Sequence, residues 1–183
     1  MRVIAGAARG LQLSAPSPAI RPTMDRVREA IFSSLGDAVP GARVLDLFAG
    51  SGALGIEALS RGAASAVFVD VNPRCAACVR ENLRRARLEA SVQVMDALKF
   101  LELYAEDEYD LIFADPPYGK SAGDRDFGSE LVQLPALARA LRHGGLFILE
   151  RLAGTKEPMT DTLSLVRVRR YGETEIAYYL PPE

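Results

Sequence analysis

The sequence predicts an α/β protein with a mostly parallel, seven-stranded sheet that ends in an antiparallel hairpin. From residue 42 onward, short apolar runs alternate with segments of helical length, which is the pattern of strands joined by crossover helices. Near the C-terminus, two β-rich runs flank Tyr171-Gly172-Glu173, and this pattern predicts a hairpin with an antiparallel last strand. The predicted strands before the hairpin cover 44–48, 66–70, 92–95, 111–114 and 146–149, and the predicted helices cover 53–61, 73–88, 97–105 and 129–142.

The first forty residues differ from this pattern and predict a small extension. Two short apolar segments flank a turn between Gly6 and Gly10, which predicts a hairpin. The prolines that follow predict an extended connector, because proline fixes φ and disfavours helix at the residue before it. Thr23 is the predicted N-cap of a helix over 24–35, whose apolar side chains recur every four residues. The expected domains are residues 1–40 and 41–183.

The composition fits one globular protein of 183 residues. The apolar fraction is 49% and the formal net charge is −2, values that argue against an intrinsically disordered chain. No apolar run reaches the roughly 18 residues of a membrane-spanning helix, and the N-terminus lacks the apolar stretch of a secretory signal. The two cysteines, Cys75 and Cys78, form a single C-x-x-C motif without a nearby histidine. They therefore predict helix packing in a reducing cytoplasm, with a redox dithiol as the alternative, rather than a disulfide framework or a zinc site.

The near-neutral charge balance hides two basic segments. Residues 1–28 contain five arginines and one aspartate, and residues 74–87 contain five arginines and one glutamate. Residues 102–110 contain five acidic residues and no basic one, and they offset this charge in the total. Because nucleic acids are bound by locally placed charge, the N-terminal segment is the better candidate for contacting RNA. The 74–87 segment is the better candidate for a solvated helix face.

A glycine-rich turn follows the first strand of the predicted sheet and indicates a nucleoside-containing cofactor. Gly50, Gly52 and Gly55 allow a ligand close to the backbone and a helix close to the strand. Asp70 ends the next strand, where a carboxylate can accept hydrogen bonds from both hydroxyls of a ribose. A dinucleotide and S-adenosylmethionine both remain open at this point. Asp46, just before the turn, favours S-adenosylmethionine, because a negative charge repels a pyrophosphate and attracts a positively charged methyl donor.

Acidic residues also follow the third and fourth predicted strands. Asp96 is a candidate acceptor for an adenine amino group and also a good helix N-cap. Asp115-Pro116-Pro117-Tyr118 closes the fourth strand, and its prolines turn the chain out of the sheet at the carboxyl edge. Asp115 and the Pro116 carbonyl are predicted to hold an exocyclic amine of a nucleobase and aim its lone pair at a methyl group. Tyr118 offers a face on which the base stacks.

These motifs together resemble class I S-adenosylmethionine-dependent methyltransferases, and more narrowly the ribosomal RNA small-subunit methyltransferase D family. The resemblance spans nearly the whole chain, and its most family-specific part is the run R-P-T-x-D-R-V-R-E-A that begins at Arg21. The other segments that carry it are 2–6, 9–10, 46–52, 115–118 and 171–172, together with Thr174. The resemblance implies a Rossmann-like fold and methylation of the N2 amine of one guanine in 16S rRNA, with S-adenosylmethionine as the methyl donor.

The resemblance also implies roles for individual residues. The segment with Arg26 and Arg28 is implied to close over the cleft for cofactor and substrate, so that 1–40 acts as a lid. Small and uncharged residues flank Arg9 here, whereas family members usually carry further basic residues, which weakens the phosphate contacts expected of this hairpin. The candidate cofactor-binding residues are Asp46, Phe48, Gly50, Gly52, Asp70, Asp96 and Ala97. The candidate catalytic residues are Asp115, Pro116 and Tyr118, and the candidate substrate-binding residues are Arg9, Arg21, Arg26, Arg28 and Pro117.

We therefore expect a cytoplasmic, monomeric methyltransferase that acts on 16S rRNA or the small-subunit particle and needs neither a metal nor a membrane. One alternative is a DNA adenine-N6 methyltransferase, since D-P-P-Y serves that amine equally well, although 183 residues leave little room for a target-recognition insertion. Further alternatives are a nucleotide-dependent oxidoreductase that uses G-S-G-A-L-G as its fingerprint, and an RNA-binding module without methyl transfer. His143 lies in a His-Gly-Gly segment without a catalytic partner motif and is expected to be a turn residue.

Overall fold

Residue contacts divide the chain of the computed structural model into two units, Met1–Ala97 and Leu98–Glu183. The structure describes residues 1–16, 22–104, 106, 108–118 and 125–182. Seven strands form a mixed sheet whose antiparallel strands are the last ones of the chain. The predicted fold class is therefore confirmed, whereas the predicted division of the chain near residue 40 stays a prediction.

The first unit contains three parallel strands in the order β3-β2-β1. They are β1 (Arg43–Leu47), β2 (Ser65–Asp70) and β3 (Ser91–Val94). The last four residues of β1 are buried, as expected for a strand covered on both faces by crossover helices. The helices of this unit are α1 (Pro22–Leu35), α2 (Ala53–Ser60) and α3 (Pro73–Ala86), and a short 3₁₀ turn covers Gly36–Ala38.

The predicted N-terminal hairpin is present in the first unit. The Val3 N–H donates to the Leu11 carbonyl at 2.9 Å, and the Gly10 N–H donates to the Val3 carbonyl at 2.9 Å. Arg2 and Gln12 form an antiparallel bridge. The turn between the two short segments thus brings Arg9 to the tip of the hairpin, as the sequence indicated.

The second unit contains a parallel strand pair and the C-terminal hairpin. β4 (Tyr109–Ala114) runs parallel to β5 (Leu141–Leu152), and β7 (Thr174–Leu180) runs antiparallel to both β5 and β6 (Ser164–Tyr171). The predicted antiparallel hairpin is therefore confirmed. The remaining helices are α4 (Ala97–Tyr104), α5 (Phe127–Gln133) and α6 (Pro135–Ala140). None of the helices in the described part of the chain is long and apolar enough to cross a membrane.

Proline accounts for two differences between the predicted and the observed helices. α1 begins at Pro22, so the prediction of Thr23 as N-cap is wrong; proline suits the first helical turn because its missing N–H would have no partner there. The single helix predicted over 129–142 is also wrong, since the structure has α5 and α6 instead. Leu134 separates them with an extended ψ of 113°, because the residue before Pro135 is disfavoured in a helix.

β5 is longer than predicted and sets the register at the edge of the sheet where β4 ends. It begins at Leu141, so His143 lies within the strand and its prediction as a turn residue is wrong. The pairing of β4 with β5 shifts between Tyr109 and Leu111, which bulges the β5 segment that contains His143. Beyond the bulge the pairing is regular, and Ala114 pairs with Leu149.

Candidate active site

The glycine turn meets Asp70 in the first unit. Gly50 has a left-handed backbone, with φ 56°, and its N–H donates to Asp70 Oδ2 at 2.8 Å. The other oxygen of Asp70 accepts from the backbone N–H of Asn72 at 2.8 Å. A Cβ added to Gly50 would have the Phe48 carbonyl oxygen at 3.9 Å as its one near neighbour among the described atoms. The structure thus brings two predicted cofactor-binding residues together and leaves open space beside them.

The other glycines of the turn pack against protein. A Cβ on Gly55 would lie 2.3 Å from Phe68 Cε1, and a Cβ on Gly52 would lie 3.1 Å from Val79 Cγ2. The predicted close approach of helix and strand is therefore confirmed, while a ligand contact of Gly52 stays a prediction. Phe48 adopts φ 57°, a conformation that is rare for a bulky residue and is found where function maintains strain. Its predicted cofactor role also stays a prediction.

Asp46 is buried near the end of β1. Its side chain is 2% exposed, and its Oδ2 accepts from the Gly55 N–H at 2.9 Å. Burial raises the pKa of Asp46 to about 7, the hydrogen bond from Gly55 lowers it, and the charge of Asp70 raises it. The group is thus only partly ionised at neutral pH, and the electrostatic argument for S-adenosylmethionine is weaker than the sequence suggested. Contact of Asp46 with a cofactor stays a prediction.

Asp96 and Ala97 follow the end of β3. Asp96 is half-buried and directly precedes α4, and Ala97 is buried. The Met95 N–H donates to the Asp70 carbonyl at 3.1 Å, which holds this segment beside the end of β2. Asp70 and Asp96 therefore lie at the same carboxyl edge of the sheet, where parallel sheets bind nucleosides.

A buried carboxylate on α2 holds the N-terminal hairpin, and sequence analysis missed it. Glu57 accepts from the backbone N–H groups of Ile4 at 2.8 Å and Ala5 at 3.0 Å. It also accepts from Arg61 Nε at 2.7 Å, and Arg28 Nε lies 3.7 Å from its Oε2. The available signal was a single glutamate inside the otherwise apolar run 53–59.

The predicted substrate-binding arginines of the first unit fall into two groups. Arg9 and Arg26 are exposed and, with Arg2, line a cavity of about 370 Å³ between the hairpin and α1. Arg28 is buried, and its guanidinium donates to the Arg2 carbonyl and to a carboxylate on α1. Arg28 thus supports the hairpin, and its contact with substrate stays a prediction. Arg21 lies outside the described residues.

The D-P-P-Y segment directly follows β4 in the second unit. β4 ends at Ala114, as expected where prolines follow a strand. Asp115 is half-buried, Pro116 is buried and Pro117 is exposed. The segment therefore leaves the sheet at the predicted edge, and the catalytic and substrate roles of its residues stay predictions.

The hydroxyl of Tyr118 is tied to two strands. It donates to Glu150 Oε1 on β5 at 3.0 Å, and Thr174 Oγ1 on β7 lies 3.3 Å from it. Burial raises the pKa of Tyr118, the charge of Glu150 raises it further, the Thr174 hydrogen bond lowers it, and the charge of Asp115 raises it. Burial also raises the pKa of Glu150, while the hydrogen bond from Tyr118 lowers it. The phenol therefore keeps its proton, and the pair holds the ring in one orientation.

A cavity of about 180 Å³ opens beside Tyr118. Its wall includes Pro116, Pro117, Tyr118, Phe127, Leu149 and Glu150. Neither Glu150 nor Thr174 was assigned a role from the sequence. The available signal for Glu150 was an acid directly after the apolar run 146–149, which is the same kind of position that Asp70 and Asp96 occupy.

Cys75 and Cys78 are free thiols on α3. Burial raises the pKa of Cys75 to about 11, together with the charge and hydrogen bond of Asp70, and burial also raises the pKa of Cys78. Such thiols stay protonated at neutral pH and react slowly. Cys78 Sγ donates to the Ser14 carbonyl at 3.2 Å, in keeping with a packing role. Within the described ranges, no three His, Cys, Asp or Glu side chains are grouped to hold a metal ion.

Similarity to other proteins extends over nearly the whole chain. A family model described as conserved hypothetical protein 95 matches residues 1–180. The Bacillus subtilis (strain 168) protein named "Putative rRNA methyltransferase YlbH" is 38% identical over 185 residues, which cover 98% of each chain. Ribosomal RNA small subunit methyltransferase D of Escherichia coli (strain K12) is 41% identical over 120 residues, 64% of this chain and 60% of the relative.

A solved structure is also similar to this chain over nearly its whole length. The structure titled "Putative methyltransferase yhhF" from Escherichia coli has a TM-score of 0.79 and 30% identity, and the match covers 99% of this chain and 97% of that one. The resemblance inferred from the motifs is therefore confirmed. The chain belongs to the conserved hypothetical protein 95 family, and its fold is that of the class I methyltransferases.

Proposed function

We propose that this protein transfers the methyl group of S-adenosylmethionine to the exocyclic N2 amine of a guanine in 16S rRNA. The D-P-P-Y segment at the end of β4 carries the proposal, because it offers two acceptors for an amine beside a tyrosine ring tied to Glu150. The names of the relatives support the coarser statement, which is methylation of ribosomal RNA.

S-adenosylmethionine supplies an electrophilic methyl group on a positively charged sulfur. The proposed binding residues are Gly50, which has open space above its left-handed backbone, and Asp70, whose half-buried carboxylate suits the hydroxyls of a ribose. Asp96 is the proposed acceptor for the adenine amino group. This acidic set fits a ligand that has a positive charge and no phosphate.

The proposed reaction is a direct displacement at the methyl carbon. Asp115 and the Pro116 carbonyl accept the two N–H groups of the amine, which aims the nitrogen lone pair at the methyl carbon. The nitrogen–carbon bond forms while the sulfur–carbon bond breaks, and sulfur keeps the electron pair of the broken bond. The methylated nitrogen then releases one proton to the Asp115 carboxylate. Asp115 stabilises the positive charge that develops on nitrogen, and Tyr118 stacks on the base.

The proposed substrate is 16S rRNA or the small-subunit particle in the cytoplasm, and the proposed active form is the monomer. The exposed Arg2, Arg9 and Arg26 around their shared cavity are the proposed contacts for RNA phosphates. A target base inside a helix must first be extruded to reach Asp115.

The test is transfer of tritiated methyl groups to small-subunit particles from cells that lack this protein, followed by mapping of the modified base by mass spectrometry. We expect one guanine to gain a methyl group at N2, and particles from wild-type cells to accept none because their site is already modified. Methylation of duplex DNA at adenine N6, with no transfer to the particles, would instead favour the DNA enzyme. Binding of NAD without binding of S-adenosylmethionine would favour the oxidoreductase.

A further inference from the structure

Asp115 and Glu150 occupy matching positions on two neighbouring chain segments of the second unit. Ala114 of β4 pairs with Leu149 of β5, so the next residue on each segment is an acid. Neighbouring strands lie about 4.7–4.9 Å apart. Both acids also act on the same phenol, because Glu150 accepts its hydrogen bond and the charge of Asp115 raises the pKa of Tyr118. The register thus places two acidic residues at neighbouring positions where β4 and β5 run side by side.

Within the described residues, one oxygen of the Glu150 carboxylate accepts a hydrogen bond. Oε1 accepts from Tyr118, whereas Oε2 has no hydrogen-bond partner in the part of the chain that the structure describes. Glu150 is one of the residues that line the cavity beside Tyr118, so a ligand in that cavity lies next to this side chain. The neighbouring Arg151 does not neutralise Glu150, since its guanidinium binds Glu157 at 2.7 Å and Glu175 at 2.8 Å. A half-buried carboxylate of this kind gains from a ligand that donates a hydrogen bond.

The cavity beside Tyr118 connects this carboxylate to the D-P-P-Y segment. Glu150 lines the cavity together with Pro116, Pro117 and Tyr118, and Phe127 contributes a second aromatic ring. Its volume of about 180 Å³ is far above the roughly 30 Å³ that one molecule of liquid water occupies. Flat apolar surfaces with polar acceptors at one edge match the needs of a nucleobase.

Guanine and adenine differ in the group that their ring N1 presents to a carboxylate: a donor in guanine and an acceptor in adenine. In guanine the ring N1–H and the N2 amine are neighbouring donors, so two adjacent carboxylates can accept from both. In adenine the ring N1 is an acceptor, and a carboxylate facing it would repel its lone pair. A site that holds an amine at Asp115 and offers a second carboxylate at Glu150 therefore favours guanine.

We propose that Glu150 is a specificity-determining residue, whose Oε2 accepts the N1–H of the target guanine while Asp115 holds the N2 amine. Tyr118 has a second task in this arrangement, since its hydroxyl holds Glu150 Oε1 and orients the carboxylate. This inference rests on the proposed function, because it assumes that guanine N2 is the methylated position.

The test compares two short RNAs that carry the mapped target site, one with guanine and one with 2,6-diaminopurine at that position. Both bases have an N2 amine, but 2,6-diaminopurine has no N1–H. The wild-type enzyme should methylate the guanine RNA about 10–100-fold faster in kcat/KM, the discrimination of a good two-point base contact. Glu150→Ala should bring this ratio close to one, mainly by slowing the guanine RNA. Equal loss on both RNAs, or no discrimination by the wild-type enzyme, would overturn the inference.

Two further variants separate selectivity from folding. Glu150→Gln keeps the size of the side chain and can turn its amide NH₂ toward the ring N1 of 2,6-diaminopurine. This variant should therefore reduce the ratio of kcat/KM between the guanine RNA and the 2,6-diaminopurine RNA several-fold. An unchanged ratio would overturn the inference. Glu173→Ala removes an exposed carboxylate at the turn before β7 and should leave the ratio at its wild-type value. If the wild-type enzyme methylates the guanine RNA at a position other than N2, the proposed function itself fails.

Discussion

Two glutamates, Glu57 in the first unit and Glu150 in the second, show opposite uses of a carboxylate. Glu57 is fully buried and accepts from two backbone N–H groups and from Arg61, with the buried Arg28 nearby. Glu150 is half-buried, accepts one hydrogen bond from Tyr118 within the described residues, and lines a cavity.

The number of donors around each carboxylate indicates what it is for. A buried charge surrounded by donors holds chain segments together, and removing it leaves its partners unpaired. A carboxylate that keeps an accessible oxygen in a cavity has acceptor capacity for a ligand. We therefore expect changes at Glu57 to affect stability and changes at the Tyr118 site to affect catalysis.

The largest expected loss of stability follows Glu57→Ala. It leaves the backbone N–H groups of Ile4 and Ala5 without their acceptor and removes the negative charge beside the buried Arg28, and such breaks of buried pairs cost about 3–5 kcal/mol. The measurement is the free energy of unfolding in urea. Glu81→Ala is the control, because its ion pair with Arg84 is exposed and its loss should not change stability measurably. Equal effects of the two changes would break the comparison.

A large loss of catalysis with no loss of binding is expected for Asp115→Ala. Removing one group that stabilises developing charge slows turnover by about 10²–10³-fold. Tritiated methyl transfer measures turnover, and titration calorimetry should show unchanged binding of S-adenosylmethionine. Asp161→Ala, at an exposed aspartate of the same unit, serves as the control and should keep full activity. Lost cofactor binding with normal turnover at saturation would contradict the role of Asp115.

Asp46 is intermediate between Glu57 and Glu150, because it is buried like Glu57 but accepts a hydrogen bond from one backbone N–H group, that of Gly55. Its folded-state pKa of about 7 lies above the ordinary value of 3.8, so between these values the folded chain binds more protons than the unfolded chain. Stability should therefore fall as pH rises from about 4 to 7, by a few kcal/mol in total. Asp46→Asn should flatten this dependence and stabilise the protein at pH 8, measured by urea unfolding at several pH values. The exposed Asp37→Asn is the control, and an unchanged slope in Asp46→Asn would contradict the prediction.

A smaller effect is expected from two glycines of the hairpin that Glu57 holds. Gly6 and Gly10 have left-handed φ values of 82° and 85°, so alanine at either costs about 1–2 kcal/mol. At Gly6 the added Cβ would also lie 1.7 Å from the Ser60 carbonyl oxygen, whereas Gly10 has no described atom within 4 Å. Gly6→Ala should therefore lose about 1–3 kcal/mol more than Gly10→Ala in thermal unfolding. It should also speed tryptic cleavage at Arg9, and equal behaviour of the two variants would show that the hairpin is not held as described.

Local sequence patterns were sufficient to predict the strands of the sheet and the strand ends that carry the candidate site residues. The alternation of apolar runs and helical segments predicted every strand of the parallel part, and the turn at 171–173 predicted the C-terminal hairpin. Within the first unit, the acids at the end of β2 and after β3 predicted the carboxyl edge at which Asp70 and Asp96 lie. Helix limits were less predictable, because Pro22 and Pro135 act on the backbone in ways that a periodic pattern does not contain.

The sequence by itself determined the fold class, the glycine turn, the D-P-P-Y segment and hence the expected chemistry, because each depends on residues that are neighbours in the chain. Only the tertiary structure decided which charges are structural and which are accessible. Glu57 accepts a hydrogen bond from Ile4 of the hairpin, 53 residues away in the sequence, and Arg28 lies beside it. Glu150 accepts a hydrogen bond from Tyr118, 32 residues away. Such pairs follow from sheet register and helix packing, which bring distant side chains together and leave no local pattern in the sequence.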